Sequence, residues 1–256
     1  MQIANRLEAV LWDFNGTLLD DVALVVRSVN RQLTVRGLPT LTIDSYREMF
    51  SFPISDYYRR IGLNPENEPM TELSSEFHDA YAPGMLKCPL YDGVIEVLGR
   101  FQRKSVRQFV LSAMKESLLH AAIEHFGIAN FFEAAYGLAH LEADSKISRG
   151  RELLTDHRIR PETTLLIGDT NHDAEVADAL GISVVLVAQG HQDIERLRET
   201  GRSVHRNVRT LLNLSSVVDA CWSRERVRDT PTATGRGSGN SAYVDQSNRY
   251  PPSVSP

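Results

Sequence analysis

Four short apolar runs punctuate the chain: Ala9-Val10-Leu11-Trp12, Phe109-Val110-Leu111, Thr164-Leu165-Leu166-Ile167 and Val184-Val185-Leu186-Val187. Each is continuous rather than alternating, the mark of a strand buried on both faces. The first closes on Asp13 and the turn signal Asn15-Gly16. Helical spacing lies between the runs. Leu118, Leu119, Ala122, Ile123 and Phe126 recur at three- and four-residue steps before Gly127, and Ala174–Leu180 precedes Gly181 in the same way. A glycine there suits a helix C-terminus. Strands alternating with helices predict an α/β fold, a parallel sheet covered on both faces.

Residues 22–87 break this rhythm. Val22–Arg36, Ile43–Phe50, Ile54–Ile61 and Glu72–Tyr81 read as helices with no strand-like run among them. The pattern predicts a small all-helical insert after the first strand, with Pro83-Gly84 and Pro89 marking the return hinge. The expected organisation is a core of 1–21 and 88–215, a helical insert of 22–87 and a tail of 222–256. Trp222–Pro256 has three Gly, four Pro and six Ser with few aliphatics, which predicts disorder.

Composition narrows the class. The chain has 256 residues, 42% apolar and 24% charged, with a net charge of −5. This is ordinary for a globular protein with a sizeable core. The balance gives no basic footprint for nucleic acid and no polybasic membrane signal. No run approaches the ~20 apolar residues of a membrane span, and the N-terminus has no signal-peptide core. Cys88 and Cys221 are too few for a disulfide framework. A reducing, cytoplasmic setting is expected.

The acids carry the chemistry. Asp13 ends the first strand, and Asp169 follows Leu165–Gly168 with Asp173 four residues on. Ligands of open parallel sheets bind outside the carboxyl ends of the strands. Carboxylates gathered there repel unless a cation neutralises them, and hard oxygen donors favour Mg²⁺. Ser112 ends another strand and can point into the same crevice. Lys146 precedes the helix Arg149–Leu154 and can hold a carboxylate beside a phosphoryl group.

Asp13-Phe14-Asn15-Gly16-Thr17-Leu18 resembles motif I of the haloacid dehalogenase-like (HAD) hydrolases, normally Asp-x-Asp-Gly-Thr. Ser112 matches motif II, Lys146 motif III, and Gly168-Asp169-Thr170-Asn171-His172-Asp173 motif IV. Order and spacing over roughly residues 8–215 resemble the phosphoglycolate phosphatase-like subfamily, in which a helical cap follows motif I and a stretch like Tyr91-Asp92-Gly93-Val94 reopens the core. The resemblance implies a Rossmann-like core and a Mg²⁺-dependent phosphatase of a small phosphorylated metabolite. It implies Asp13 as nucleophile. Asp13, the Asn15 carbonyl and Asp169 would hold the metal, with Asp173 supporting or completing that set. Ser112 and Lys146 would bind the transferring phosphoryl oxygens, with Thr17 in support.

One position departs from the family. The second motif I acid, which serves as general acid and base, is Asn15 here, and an amide cannot transfer protons at neutral pH. This keeps other readings open: a phospho-ligand-binding or interaction protein with little catalysis, phosphonate hydrolysis, or phosphoryl transfer. Phosphonate hydrolysis by a cap Schiff base is disfavoured, because no lysine occurs from Asp20 to Leu86. Several further residues are assigned to ordinary structure. Arg59 and Arg60 are expected on a solvent face, and His172 on the surface at a helix N-terminus. His78, His120, His125, His140 and His157 show no ligand spacing. Lys115 is a second lysine near motif II. Phe52-Pro53-Ile54 reads equally as a specificity loop or a helix N-terminus.

Overall fold

The computed structural model of the chain describes residues 7–138 and 145–213. The expected tail over 222–256, Cys221 and His140 lie outside the described residues. The strands are β1 (Ala9–Trp12), β2 (Arg107–Lys115), β3 (Ala134–Leu138), β4 (Thr164–Gly168), β5 (Ser183–Val187) and β6 (Ser203–His205). They form one parallel sheet in the order β3-β2-β1-β4-β5-β6. The expected α/β, Rossmann-like fold is therefore observed. The order reverses at β1, the switch point where such sheets open a crevice.

All four β1 side chains are fully buried. Their alternation divides the core. Val10 and Trp12 join Val110, Leu165 and Ile167 on one face, while Ala9 and Leu11 join Phe109, Leu111 and Leu166 on the other. The edge strands carry no readable signal. Ala-Ala-Tyr-Gly-Leu has little aliphatic bulk, and β6 is three residues long.

Four helices follow β1: α1 (Val22–Val35), α2 (Ile43–Met49), α3 (Ile54–Arg60) and α4 (Met70–Met85). The others are α5 (Val94–Arg103), α6 (Glu116–His125), α7 (Lys146–Asp156), α8 (Asn171–Leu180) and α9 (Ile194–Glu199). In α1, the buried stripe of Val22, Val25, Val26, Val29 and Leu33 keeps helical period. None of the helices among the described residues is long and apolar enough to cross a membrane.

The chain leaves the sheet and returns to it side by side. Asp20 N donates to Pro89 O (2.9 Å) and Tyr91 N to Leu18 O (2.9 Å). The return therefore lies at Pro89–Tyr91, and Pro83-Gly84 is not part of it. Both residues sit inside the last turns of α4. Gly84 is there because α4 closes on α1: a Cβ at this position would lie 2.7 Å from Leu24 Cδ1.

One buried polar link ties β1 and β2 to α5. Trp12 Nε1 donates to Gln108 Oε1 (3.2 Å), and Gln108 Nε2 donates to the Leu98 carbonyl (3.0 Å). Gln108→Leu strands the indole N–H in the core, an expected loss of about 1–3 kcal/mol. Urea unfolding of the variant checks this, and an unchanged midpoint would mean that the indole finds another acceptor.

Candidate active site

Strand register builds the site. Trp12 is level with Val110 of β2 and with Ile167 of β4. Continuing one step places Asp13 beside Leu111 and Gly168, with Ser112 and Asp169 one residue further. Asp13 N donates to the Ile167 carbonyl (2.8 Å), so the ladder continues through the functional residue. Helix starts bring in the rest. Ser145 and Ser148 form a capping box that sets Lys146 as the first residue of α7, inside the helix rather than ahead of it. Thr170 and Asp173 form the equivalent box on α8.

The result is a buried charge cluster. Lys146 Nζ donates to Asp13 Oδ1 (2.5 Å) and to Asp173 Oδ1 (2.6 Å). Asp173 Oδ2 also accepts from Thr170 N (3.0 Å), Thr170 Oγ1 (2.7 Å) and Asp169 N (3.2 Å). Asp169 Oδ1 accepts from Thr17 Oγ1 (2.9 Å), and its Oδ2 accepts from His191 N (2.7 Å). Thr17 thus stands behind Asp169. A cavity of about 70 Å³ is lined by Asp13, Asn15, Ser112, Lys146 and Asp169, with Phe50, Phe52, Ala113, Thr170, His172 and His191 completing its wall. Ser112 does not end its strand, since β2 runs on to Lys115, but the β2–β3 register shifts between Leu111 and Lys115, and Ser112 Oγ accepts from Met114 N (3.1 Å) at that irregularity.

Close packing encloses Asp169. Gly16 has φ +71°, and a Cβ there would lie 2.3 Å from Asp169 Oδ2. A Cβ at Gly190 would lie 2.1 Å from the same oxygen. Only glycines admit the two backbones this close to the carboxylate.

Too many acids share this space. Burial pushes the Asp13 carboxyl up to about 8; the Lys146 ammonium pulls it down, and Asp173 and Asp169 raise it further. Burial also lifts Asp169, to about 6, against the pull of His191. Asp173 is the exception: burial would raise it, but Lys146 and Thr170 hold it below the usual carboxylate range. Carboxylate oxygens of Asp13, Asp169 and Asp173 lie within 4.8 Å of one another. An all-oxygen set whose members resist ionisation together fits a hard divalent cation such as Mg²⁺.

A second buried network surrounds Asn15. Asn15 Nδ2 donates to Asp21 Oδ2 (2.8 Å) and to Tyr81 Oη (2.7 Å), and Tyr81 Oη donates to Asp21 Oδ2 (2.7 Å). His191 Nε2 lies 3.3 Å from Asp21 Oδ1, and its Nδ1 lies 2.9 Å from Tyr46 Oη. Burial would depress the His191 imidazole, but Asp21 above all, then Asp169 and Asp13, raise it to about 9. Burial likewise works to raise Asp21, yet His191, Tyr81 and Asn15 hold it low.

A family model described as haloacid dehalogenase-like hydrolase matches residues 10–187. The chain belongs to this family. It is 27% identical over 210 residues to the tyrosine-protein kinase PtkA of Mycobacterium tuberculosis, covering 80% of this chain and 70% of that one. It is 23% identical over 195 residues to phosphoglycolate phosphatase of Synechococcus elongatus, covering 75% of this chain and 88% of that one. Its fold matches a haloacid dehalogenase-like family hydrolase of Streptococcus pneumoniae with a TM-score of 0.70 at 21% identity, over 81% of this chain and 98% of that one.

The fold brings together Asp13, Asn15, Thr17, Ser112, Lys146, Asp169 and Asp173, the residues the sequence singled out. His191, Asp21, Tyr46 and Tyr81 were not legible. One signal existed: Gly190-His191 follows the β5 run, at the carboxyl end of a strand. His172 is not merely a surface residue. Its ring stacks on Phe52 with centroids 4.5 Å apart, and both line the cavity. Within Phe52-Pro53-Ile54, Pro53 occupies the N-cap position of α3 and Phe52 forms cavity wall.

The raised His191 value has a stability consequence. Folding lifts its proton affinity from the ordinary 6.5 to about 9. Its contribution is complete below pH 6.5 and is lost as pH rises through 9. Thermal melting of wild type and His191→Asn is expected to differ most near pH ~6 and least near pH ~10. A gap independent of pH would show that the charge does not contribute.

Proposed function

We propose that this HAD hydrolase is a Mg²⁺-dependent phosphatase acting on a small phosphorylated metabolite through an aspartyl-phosphate. One observation carries the reading: Asp13, Asp169, Lys146 and Ser112 line a cavity of about 70 Å³ at the switch point of the sheet, with Asp173 bonded to Lys146 beside them. Relatives named phosphoglycolate phosphatase support the same class.

Asp13 attacks phosphorus in line with the leaving oxygen, whose bond breaks as the aspartyl-phosphate forms. Lys146, held at 2.5 Å from Asp13 Oδ1, fixes the nucleophile's rotamer and offsets negative charge beside the phosphoryl oxygens. Ser112 donates to those oxygens. Asp13, Asp169, Asp173 and the Asn15 carbonyl would hold Mg²⁺, which supplies charge neutralisation and Lewis acidity when bound. Thr17 and His191 N orient Asp169 from behind. The residues between β1 and α5 act as a cap that excludes water during transfer. Hydrolysis of the acyl phosphate then returns Asp13 and releases inorganic phosphate.

Phosphoryl transfer to an acceptor other than water is the second reading. It draws on the PtkA relative and on Asn15, which leaves no carboxylate at that position to activate water.

A Mg²⁺-dependent screen over small phosphomonoesters tests the first reading. Asp13→Asn is expected to abolish turnover without changing the melting temperature, since the swap is nearly isosteric. Full activity in that variant would overturn the nucleophile assignment. Release of inorganic phosphate without an added acceptor separates hydrolysis from transfer.

Asn15→Asp tests the departure from the family. It is expected to raise turnover of alkyl phosphates by up to ~10²–10⁴-fold and of acyl phosphates far less, because only basic leaving groups need protonation. Equal rates on alkyl phosphates would show that the amide is not limiting. Asn15-Gly16 is prone to deamidation, so peptide mapping of the assayed protein belongs to the measurement.

A further inference from the structure

A second, larger cavity adjoins the phosphoryl-sized one. It measures about 380 Å³ and shares Asn15, Phe52, Ala113 and His191 with its neighbour. It lies where the alcohol part of a phosphomonoester must go once phosphorus faces Asp13. Its walls are side chains of the helical segment, among them Val25, Val29, Ile54, Met70 and Phe77, closed on the core side by Leu118. Pockets built this way derive affinity from apolar area and reject charge that they cannot pair.

Three observations narrow what fits. The charged groups on this wall are few among the described residues. Asp21 and His191 neutralise each other, which leaves Lys115, an exposed side chain on the core side, as the one further fixed charge. A small anionic alcohol such as glycolate would fill little of the cavity and would find Lys115 as its one fixed cation outside the Asp21–His191 pair, with Ser74 and His78 as further polar groups of the wall. Phe52, Tyr57, Tyr58, Phe77 and Tyr81 put five aromatic rings on the wall, faces and edges against which an aryl group packs. Finally, the position that the family fills with a general acid holds Asn15, whose amide is tied to Asp21 and Tyr81. A leaving group that departs without protonation is favoured, and a phenol, with a pKa near ~10, departs far more readily than an aliphatic alcohol.

We propose that the substrate is an aryl phosphomonoester whose ring seats in the 380 Å³ cavity between the helical segment and the core. This deepens the phosphatase reading and rests on it. A carboxylate oxygen of Asp13 forms the bond to phosphorus as the bond from phosphorus to the aryl oxygen breaks. The electron pair leaves on that oxygen as phenolate, which takes a proton from solvent after release. Water then cleaves the acyl phosphate to inorganic phosphate and the Asp13 carboxylate.

The test uses the full chain with Mg²⁺ and two kinds of probe. In turnover, 1-naphthyl phosphate is expected to exceed phosphoglycolate by ~10²-fold or more in kcat/KM. Ile54→Lys and Met70→Lys, at two half-buried positions of the wall, are each expected to cut that ratio by ~10-fold or more by placing a charge against the ring. Equal or better turnover of phosphoglycolate, or a ratio unmoved in both folded variants, overturns the proposal. In binding, benzylphosphonate and phosphonoacetate, which cannot be hydrolysed, are compared by calorimetry. Tighter binding of benzylphosphonate supports the cavity assignment even if no ester is turned over, in which case the phosphatase reading fails by itself. Tighter binding of phosphonoacetate overturns the assignment whatever the rates.

Discussion

Everything at the candidate site follows from carboxylates held closer together than water-excluded charge allows. Asp13, Asp169 and Asp173 offer oxygens within 4.8 Å of one another, all buried, with Lys146 as the cation inside the cluster. The sheet enforces this geometry, because the shared register of β1 with β2 and β4 delivers its residues at one level. The two capping boxes deliver Lys146 and Asp173 from the other side. The fold's stability is thus used to hold an arrangement that is unfavourable by itself, and a divalent cation held there would relieve it.

Much of this was legible in the chain because the central strands announce themselves. Ala9–Trp12 and Thr164–Ile167 are continuous apolar runs, and the acids that follow them can only lie at strand ends. The helical character of 22–87 was readable for the same reason, through the valine stripe of α1. What escaped was set by tertiary partners rather than by local pattern. β3 and β6 are edge strands whose pairing comes from a neighbour. Pro83-Gly84 looks like a hinge in sequence, but the close approach of α4 to Leu24 selects that glycine. Asp21, Tyr81, Tyr46 and His191 are distant in sequence, and no spacing rule links them.

The network around Asn15 changes how the departure from the family pattern is understood. An asparagine in place of an acid suggests simple loss of a group. Here the amide donates to Asp21 and to Tyr81, so it serves as a structural donor to a buried carboxylate. An aspartate at the same position would lie against Asp21, and like charges in a buried setting would keep one of the two carboxyls protonated. In this chain Asn15, Asp21, Tyr81 and His191 therefore form one connected arrangement.

The loop after β5 meets α2 in a distinctive way. Arg47 donates from Nε to the Gly190 carbonyl and from Nη2 to the Gln189 carbonyl, each at 2.8 Å. Arg196 donates to the carbonyls of Glu48 and Phe50, and Gln192 Nε2 donates to that of Phe50 at 3.1 Å. Every acceptor in this clasp is a main-chain oxygen. Drift in sequence can therefore replace the residues that supply those acceptors without loosening the clasp, provided the backbone path is kept. The donors have no such freedom. Inheritance of the clasp is thus lopsided: three side chains carry it, and the side chains of the residues that supply its acceptors are interchangeable.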